Sequence, residues 1–130
     1  MLTRRARQVL DAPVACVILG DGFSARMLAL KLLLFKGIAS VVCDTERSAL
    51  GLLIPAGTYC GLCPTSEGAL VQAQLEDMAD SFEDGVRFLV FGSERFRTLM
   101  ESRREALESR YIIADKSSIF SMSAPFRCNG

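Results

Sequence analysis

Apolar and polar positions alternate along this chain in blocks whose lengths and periods suggest their structure. Val14 to Leu19, VACVIL, is an unbroken apolar run rich in β-branched residues that stops at Gly20. Such a run reads as a strand buried on both faces. After the turn GDGFS, the segment from Ala25 to Lys36 has good helix formers and no Gly or Pro, and Gly37 stands where a helix C-cap is expected. Ala39 to Cys43, ASVVC, predicts a second strand ending at Asp44. Residues 48–65 carry a short apolar piece, GLLIPAG, followed by TYCGLCPT, and they read as a loop or strand-and-turn region. Thr65 or Ser66 can cap a helix reaching about Phe82, with Leu70, Val71, Leu75, Met78, Ala79 and Phe82 on one side. Val86 to Phe91 predicts a third strand. Ser93 then caps a helix through ERFRTLMESRREALES, with Phe96, Leu99, Met100, the stem of Arg103 and Leu107 facing inward. Tyr111 to Ala114 predicts a fourth strand.

Strands alternating with helices imply an α/β domain, a parallel sheet of about four strands with helices on both faces. The pattern spans one domain over residues 1–130, with residues 1–12 as an N-terminal extension and residues 121–130 as an irregular tail. The first helix is unusually apolar. Between Met27 and Phe35 only Lys31 is charged, more than one sheet face can bury, so a second copy or a further domain is expected to cover it.

Ligands of such sheets bind where strand carboxyl ends diverge. The candidate binding residues are therefore Gly20, Asp21, Gly22, Phe23 and Ser24 after the first strand, Asp44 after the second, and Gly92, Ser93 and Glu94 after the third. Gly20, Gly22 and Ala25 fit G-x-G-x-x-A between a strand and a helix, the context in which glycines admit a phosphate to a helix N-terminus. Asp44 stands close to where an acid would hold ribose hydroxyls, which opens an alternative as an NAD(P)- or FAD-binding domain. The Asp21 carboxylate inside the turn argues against a phosphate there, and Ser93 with Glu94 also reads simply as a helix cap.

Composition narrows the chemistry. Histidine is absent, which removes Ser-His and Cys-His hydrolysis on this chain and the commonest metal ligand. Fifteen basic residues balance 15 acidic ones, so no charge surplus points to nucleic acid. The longest uncharged stretch, residues 48–66, is broken by Gly and Pro and does not read as a membrane span. Five cysteines, with Cys16 and Cys43 inside strand runs, suit a reducing cytoplasmic compartment better than a disulfide framework. Cys60-Gly-Leu-Cys63 is a C-x-x-C ahead of a helix, a second alternative as a thiol redox protein.

Taken together, GDGFSA, the short strand VVCD, the strand exit VFGSE, the charged helix MESRREALESRY and the closing IIADKSSIF resemble the pre-ATP-grasp domain. This is the Rossmann-like N-terminal domain of ATP-grasp carboxylate–amine ligases such as the carbamoyl phosphate synthetase large chain. The likeness covers about Val14 to Phe120 and rests on order and spacing. It implies a three-layer Rossmann-like fold and, in a full-length relative, ligation through an acyl phosphate. ATP and Mg2+ would be held by later domains, which would begin just after Lys116, so no catalytic residue is expected on this chain. The resemblance implies a substrate-side or interaction module bordering a pocket for a small carboxylate or amine, partnered by the missing ATP-grasp domain or by a second copy.

Overall fold

Three largely apolar runs become the middle of the sheet. The computed structural model describes residues 4–54, 56–62, 68–81, 85–115 and 118–119. Its strands are β1 (Val14–Leu19), β2 (Ala39–Asp44), β3 (Thr58–Gly61), β4 (Val86–Phe91) and β5 (Ile112–Ile113). They form one five-stranded sheet in the order β3-β2-β1-β4-β5, with every pairing parallel. Leu19 at the end of β1 is level with Cys43 on one side and Phe91 on the other. The chain builds outward from β1 through β2 to β3, then crosses back to lay β4 on the other flank of β1. Their exits diverge there, and this is the switch point of a Rossmann-like sheet.

The helices are α1 (Arg4–Leu10), α2 (Phe23–Lys31), α3 (Gly68–Asp80), α4 (Glu94–Met100) and α5 (Arg104–Leu107). Alternate strand residues point to opposite faces. Ala15, Val17, Leu19, Val41 and Cys43 pack against α1, α3, α4 and α5. Cys16, Ile18, Val42, Phe88 and Val90 pack against α2 and its continuation. The result is the three-layer α/β architecture read from the alternation, with five strands rather than four.

The additional strand is β3, in the segment read as loop or strand-and-turn. It is a four-residue edge strand preceded by Gly57, whose φ of 78° lets the chain turn in beside β2. Within the N-terminal extension, residues 4–10 are helical, and Ala6 and Leu10 are buried against the sheet. The first predicted helix ends in a π-turn, Leu32–Lys36. Gly37 closes it at φ 67°, its N–H donating to Leu33 O at 3.1 Å while the Ile38 N–H donates to Leu32 O. The helix predicted after Ser93 is divided instead into α4, a 3-10 turn over Glu101–Arg103 and α5. There the Arg103 guanidinium hydrogen-bonds the Gln72 side chain at 3.0 Å, tying the break to α3. Residues 63–67 and 120–130, with the tail and the expected caps Thr65 and Ser66, lie outside the described residues.

The two sheet faces are unequally covered. Among the described residues the β2–β3 connection carries a single 3-10 turn, Leu50–Leu53, where a crossover helix would have flanked α2. Leu34, Phe35 and Leu53 consequently stand 68%, 67% and 72% exposed, which is the excess apolar surface anticipated from the composition of the first helix. No helix among the described residues is long and apolar enough to cross a membrane.

Candidate functional site

The strand order brings together three of the segments singled out from sequence. The Gly20 turn, Asp44 and the Gly92 exit all stand at the carboxyl edge of the sheet. Gly20 adopts φ 130°, a conformation open to glycine, and its N–H donates to Cys43 O at 2.6 Å. Gly92 donates to Leu19 O at 2.9 Å, and a Cβ there would press on Ile18 Cγ2 at 3.0 Å. The two glycines thus let the exits of β1 and β4 lie against one another. Ala25 is buried against Gly92, the close helix–sheet contact expected of a small residue at that position.

Gly22 is the N-cap of α2 and provides no side chain for the first-turn amides. A Cβ on Gly22 would meet nothing within 4 Å, so there is open space beside the N-cap of α2, whose first-turn amides have no side-chain cap. Asp21 is not turned toward that space. It is completely buried, with Oδ1 2.7 Å from Arg26 Nε and Oδ2 accepting the Ser48 N–H at 3.0 Å. Arg26, 4% exposed, also donates from Nη1 to the carbonyls of Ala56 and Gly57 at 3.2 Å. Asp21 therefore anchors the 3-10 turn to α2. Its charge is met by a buried guanidinium, which lifts the electrostatic objection to an anion at this turn.

Asp44 closes the β2 exit. Its Oδ2 accepts the Asp21 N–H at 3.3 Å and its Oδ1 accepts the Thr45 N–H at 2.6 Å. Oδ1 also meets the Nη2 of Arg95, from the first turn of α4. Because β1 lies between β2 and β4, this ion pair spans the crevice over the end of β1. The Arg95 guanidinium lies 4.6 Å from the Phe96 ring centroid and is 57% exposed on its side chain. Such an exposed pair stabilises the fold by about 1 kcal/mol or less, little enough for a ligand to redirect the arginine. Ser93 caps α4, its Oγ accepting the Phe96 N–H at 3.4 Å, and Glu94 pairs with Arg97 at 3.2 Å. Both serve the helix in the way the cap reading expected.

A nucleotide fits this edge in part. A phosphate could approach over Gly22, but both Asp44 oxygens are engaged, so ribose hydroxyls would first have to displace Arg95. For Mg2+, no group of three or more acidic, Cys or His side chains converges among the described residues. Of the C-x-x-C motif, Cys60 is buried and Cys63 lies outside the described residues. Burial pushes the Cys16 thiol up to about 12, out of reach of redox chemistry near neutral pH.

Arg95 and Arg26 were not among the sequence candidates. Arg26 could have been found as the first cation after Asp21 on an otherwise apolar helix, since a buried carboxylate requires one. Arg95 becomes visible only when the strand order sets α4 opposite Asp44. No family model matches the sequence, and neither a curated protein nor a solved structure matches the chain.

Proposed function

We propose that this chain is a ligand-binding module of the pre-ATP-grasp kind, holding the anionic group of a small molecule at the switch point between β1 and β4. The observation that carries the reading is the Arg95–Asp44 pair across the end of β1, beside the uncapped first turn of α2. Arg95 would leave Asp44 to form charge-assisted hydrogen bonds with a carboxylate or phosphate, while the Phe23 and Ser24 amides supply further donors. Binding rather than catalysis is the role: ATP, Mg2+ and the acyl-phosphate chemistry would belong to later domains of a ligase of this class. The exposed apolar side chains of the Leu32–Lys36 turn that continues α2 and of the Leu50–Leu53 turn mark where such a domain, or a second copy, would sit. The free thiols of Cys16, Cys43 and Cys60 support a cytoplasmic setting.

A second reading, an NAD(P)- or FAD-binding domain, is favoured by Asp44 standing after the second strand of a 3-2-1-4-5 sheet. A thermal-shift panel of succinate, glutamate, pyrophosphate, ATP, NAD, NADP and FAD separates the two. The module reading expects stabilisation by a small carboxylate or by pyrophosphate that disappears in Arg95→Ala. Stabilisation by a dinucleotide alone would select the second reading, and silence across the panel would remove both.

A further inference from the structure

The cysteine motif visible in sequence pairs Cys60 with Cys63, but the sheet pairs Cys60 with a different partner. Cys43 on β2 and Cys60 on β3 are direct register neighbours in a parallel ladder. Both belong to the core face that packs against α1 and α3, so their side chains point the same way. The two thiols are close enough to shift one another's pKa, and the Cys60 thiol donates to Gly61 O at 3.8 Å. Adjacent strands lie about 4.7–4.9 Å apart, inside the Cα separation of about 4.4–6.8 Å that a disulfide spans. A bond formed there, on an edge strand, would stay within reach of a thiol reductant.

We propose that Cys43 and Cys60 form a reversible cross-strand disulfide, making this edge of the sheet a thiol–disulfide switch. Cys60 is the attacking sulfur. The neighbouring Cys43 thiol lowers that of Cys60 to about 7, while Cys43 itself is pushed well above its ordinary value, first by its interaction with Cys60 and then by burial. Cys60 is also on β3, which has four residues and no strand on its outer side among the described residues. Fraying of that short edge exposes the sulfur without opening the rest of the fold.

With a peroxide as oxidant the chemistry is balanced. The Cys60 thiolate attacks one peroxide oxygen, the O–O bond breaks, and hydroxide leaves to give a sulfenic acid. The Cys43 sulfur then attacks the Cys60 sulfur, its proton joins the departing hydroxide, and water leaves as the S–S bond forms. Two thiols are oxidised by two electrons and one hydrogen peroxide becomes two waters. The new bond would lie one residue from Asp44, and the Cys43 carbonyl already accepts the Gly20 amide.

The test is peptide mapping of the full chain under non-reducing conditions after hydrogen peroxide treatment and alkylation of remaining thiols. Trypsin places Cys43 in residues 37–47 and Cys60, with Cys63, in residues 48–87. The expected product joins these two peptides with loss of two hydrogens. It forms equally in wild type and Cys63→Ser, disappears in Cys60→Ser and reverts to free thiols with dithiothreitol. A loop closed within residues 48–87, with Cys43 alkylated, would assign the chemistry to Cys60 and Cys63 and overturn the proposal. Alkylation of both Cys43 and Cys60 after peroxide would overturn it equally. Should Cys60→Ser fail to fold, the Cys63→Ser map carries the decision.

Discussion

Replacing Arg26 by methionine removes a cation from one of the least accessible places in the molecule while keeping most of its apolar stem. The Asp21 carboxylate would remain completely buried with one neighbouring donor fewer, losing the 2.7 Å contact with Nε and retaining the Ser48 amide. The carbonyls of Ala56 and Gly57 would lose their Nη1 donor as well. Breaking a buried pair from one side costs about 3–5 kcal/mol, because an uncompensated charge stays behind. A domain with a total stability of about 5–15 kcal/mol would feel that as a large fraction of its margin. Asp21→Asn combined with Arg26→Met removes both charges, and its cost should fall below the sum of the single changes by about 1–3 kcal/mol. Urea unfolding of the four proteins in this cycle measures the coupling. A cost below about 1 kcal/mol for Arg26→Met, or strict additivity in the double variant, would refute the claim that this pair anchors the 3-10 turn to α2.

Four further outcomes follow from the geometry. A Cβ at Gly51 would fall on the Asp21 carbonyl oxygen and stand 3.2 Å from Arg26 Cγ, so Gly51→Ala should cost about 1–3 kcal/mol in urea unfolding; Gly22→Ala, facing open space, should cost about 1 kcal/mol or less yet weaken anion binding. Arg95→Ala should lower stability by about 1 kcal/mol or less while abolishing stabilisation by the panel anion, as read by thermal shift. The Tyr111 hydroxyl donates to Leu75 O at 2.6 Å, and burial raises its pKa above the ordinary 10.0. Its contribution is therefore present below pH 10.0 and is lost as pH rises from there toward the folded value; Tyr111→Phe should cost about 1 kcal/mol near neutral pH and lack that alkaline loss, which paired urea midpoints would reveal.

How far the fold could be read from the chain depended on how each segment meets water. β1, β2 and β4 are buried on both faces, so VACVIL, ASVVC and VRFLVF stand out as largely apolar runs, interrupted only by Ser40 and Arg87. β3 is an edge strand in which Cys60 is buried while Thr58, Tyr59 and Gly61 are partly open, and four such residues among glycines have too little pattern to separate a strand from a turn. In α1 the inward positions Ala6 and Leu10 are one helical turn apart and surrounded by arginines, so it reads as polar extension. The glycine turn and Asp44 were legible because each sits beside its strand. The Arg95–Asp44 pair joins residues 51 positions apart, and Cys43 meets Cys60 only through the strand order.

Whether a small anion is held at the switch point can be read by titrating the isotope-labelled chain with the carboxylate or pyrophosphate that gives the largest thermal shift, following backbone amide and arginine Nε resonances. Anion binding there should give saturable shifts at the Phe23 and Ser24 amides and at Arg95 Nε, as the guanidinium leaves Asp44 for the ligand, and no comparable shift at Arg26. Shifts clustered elsewhere on the surface, or an Arg95 resonance unmoved at saturation, would contradict it.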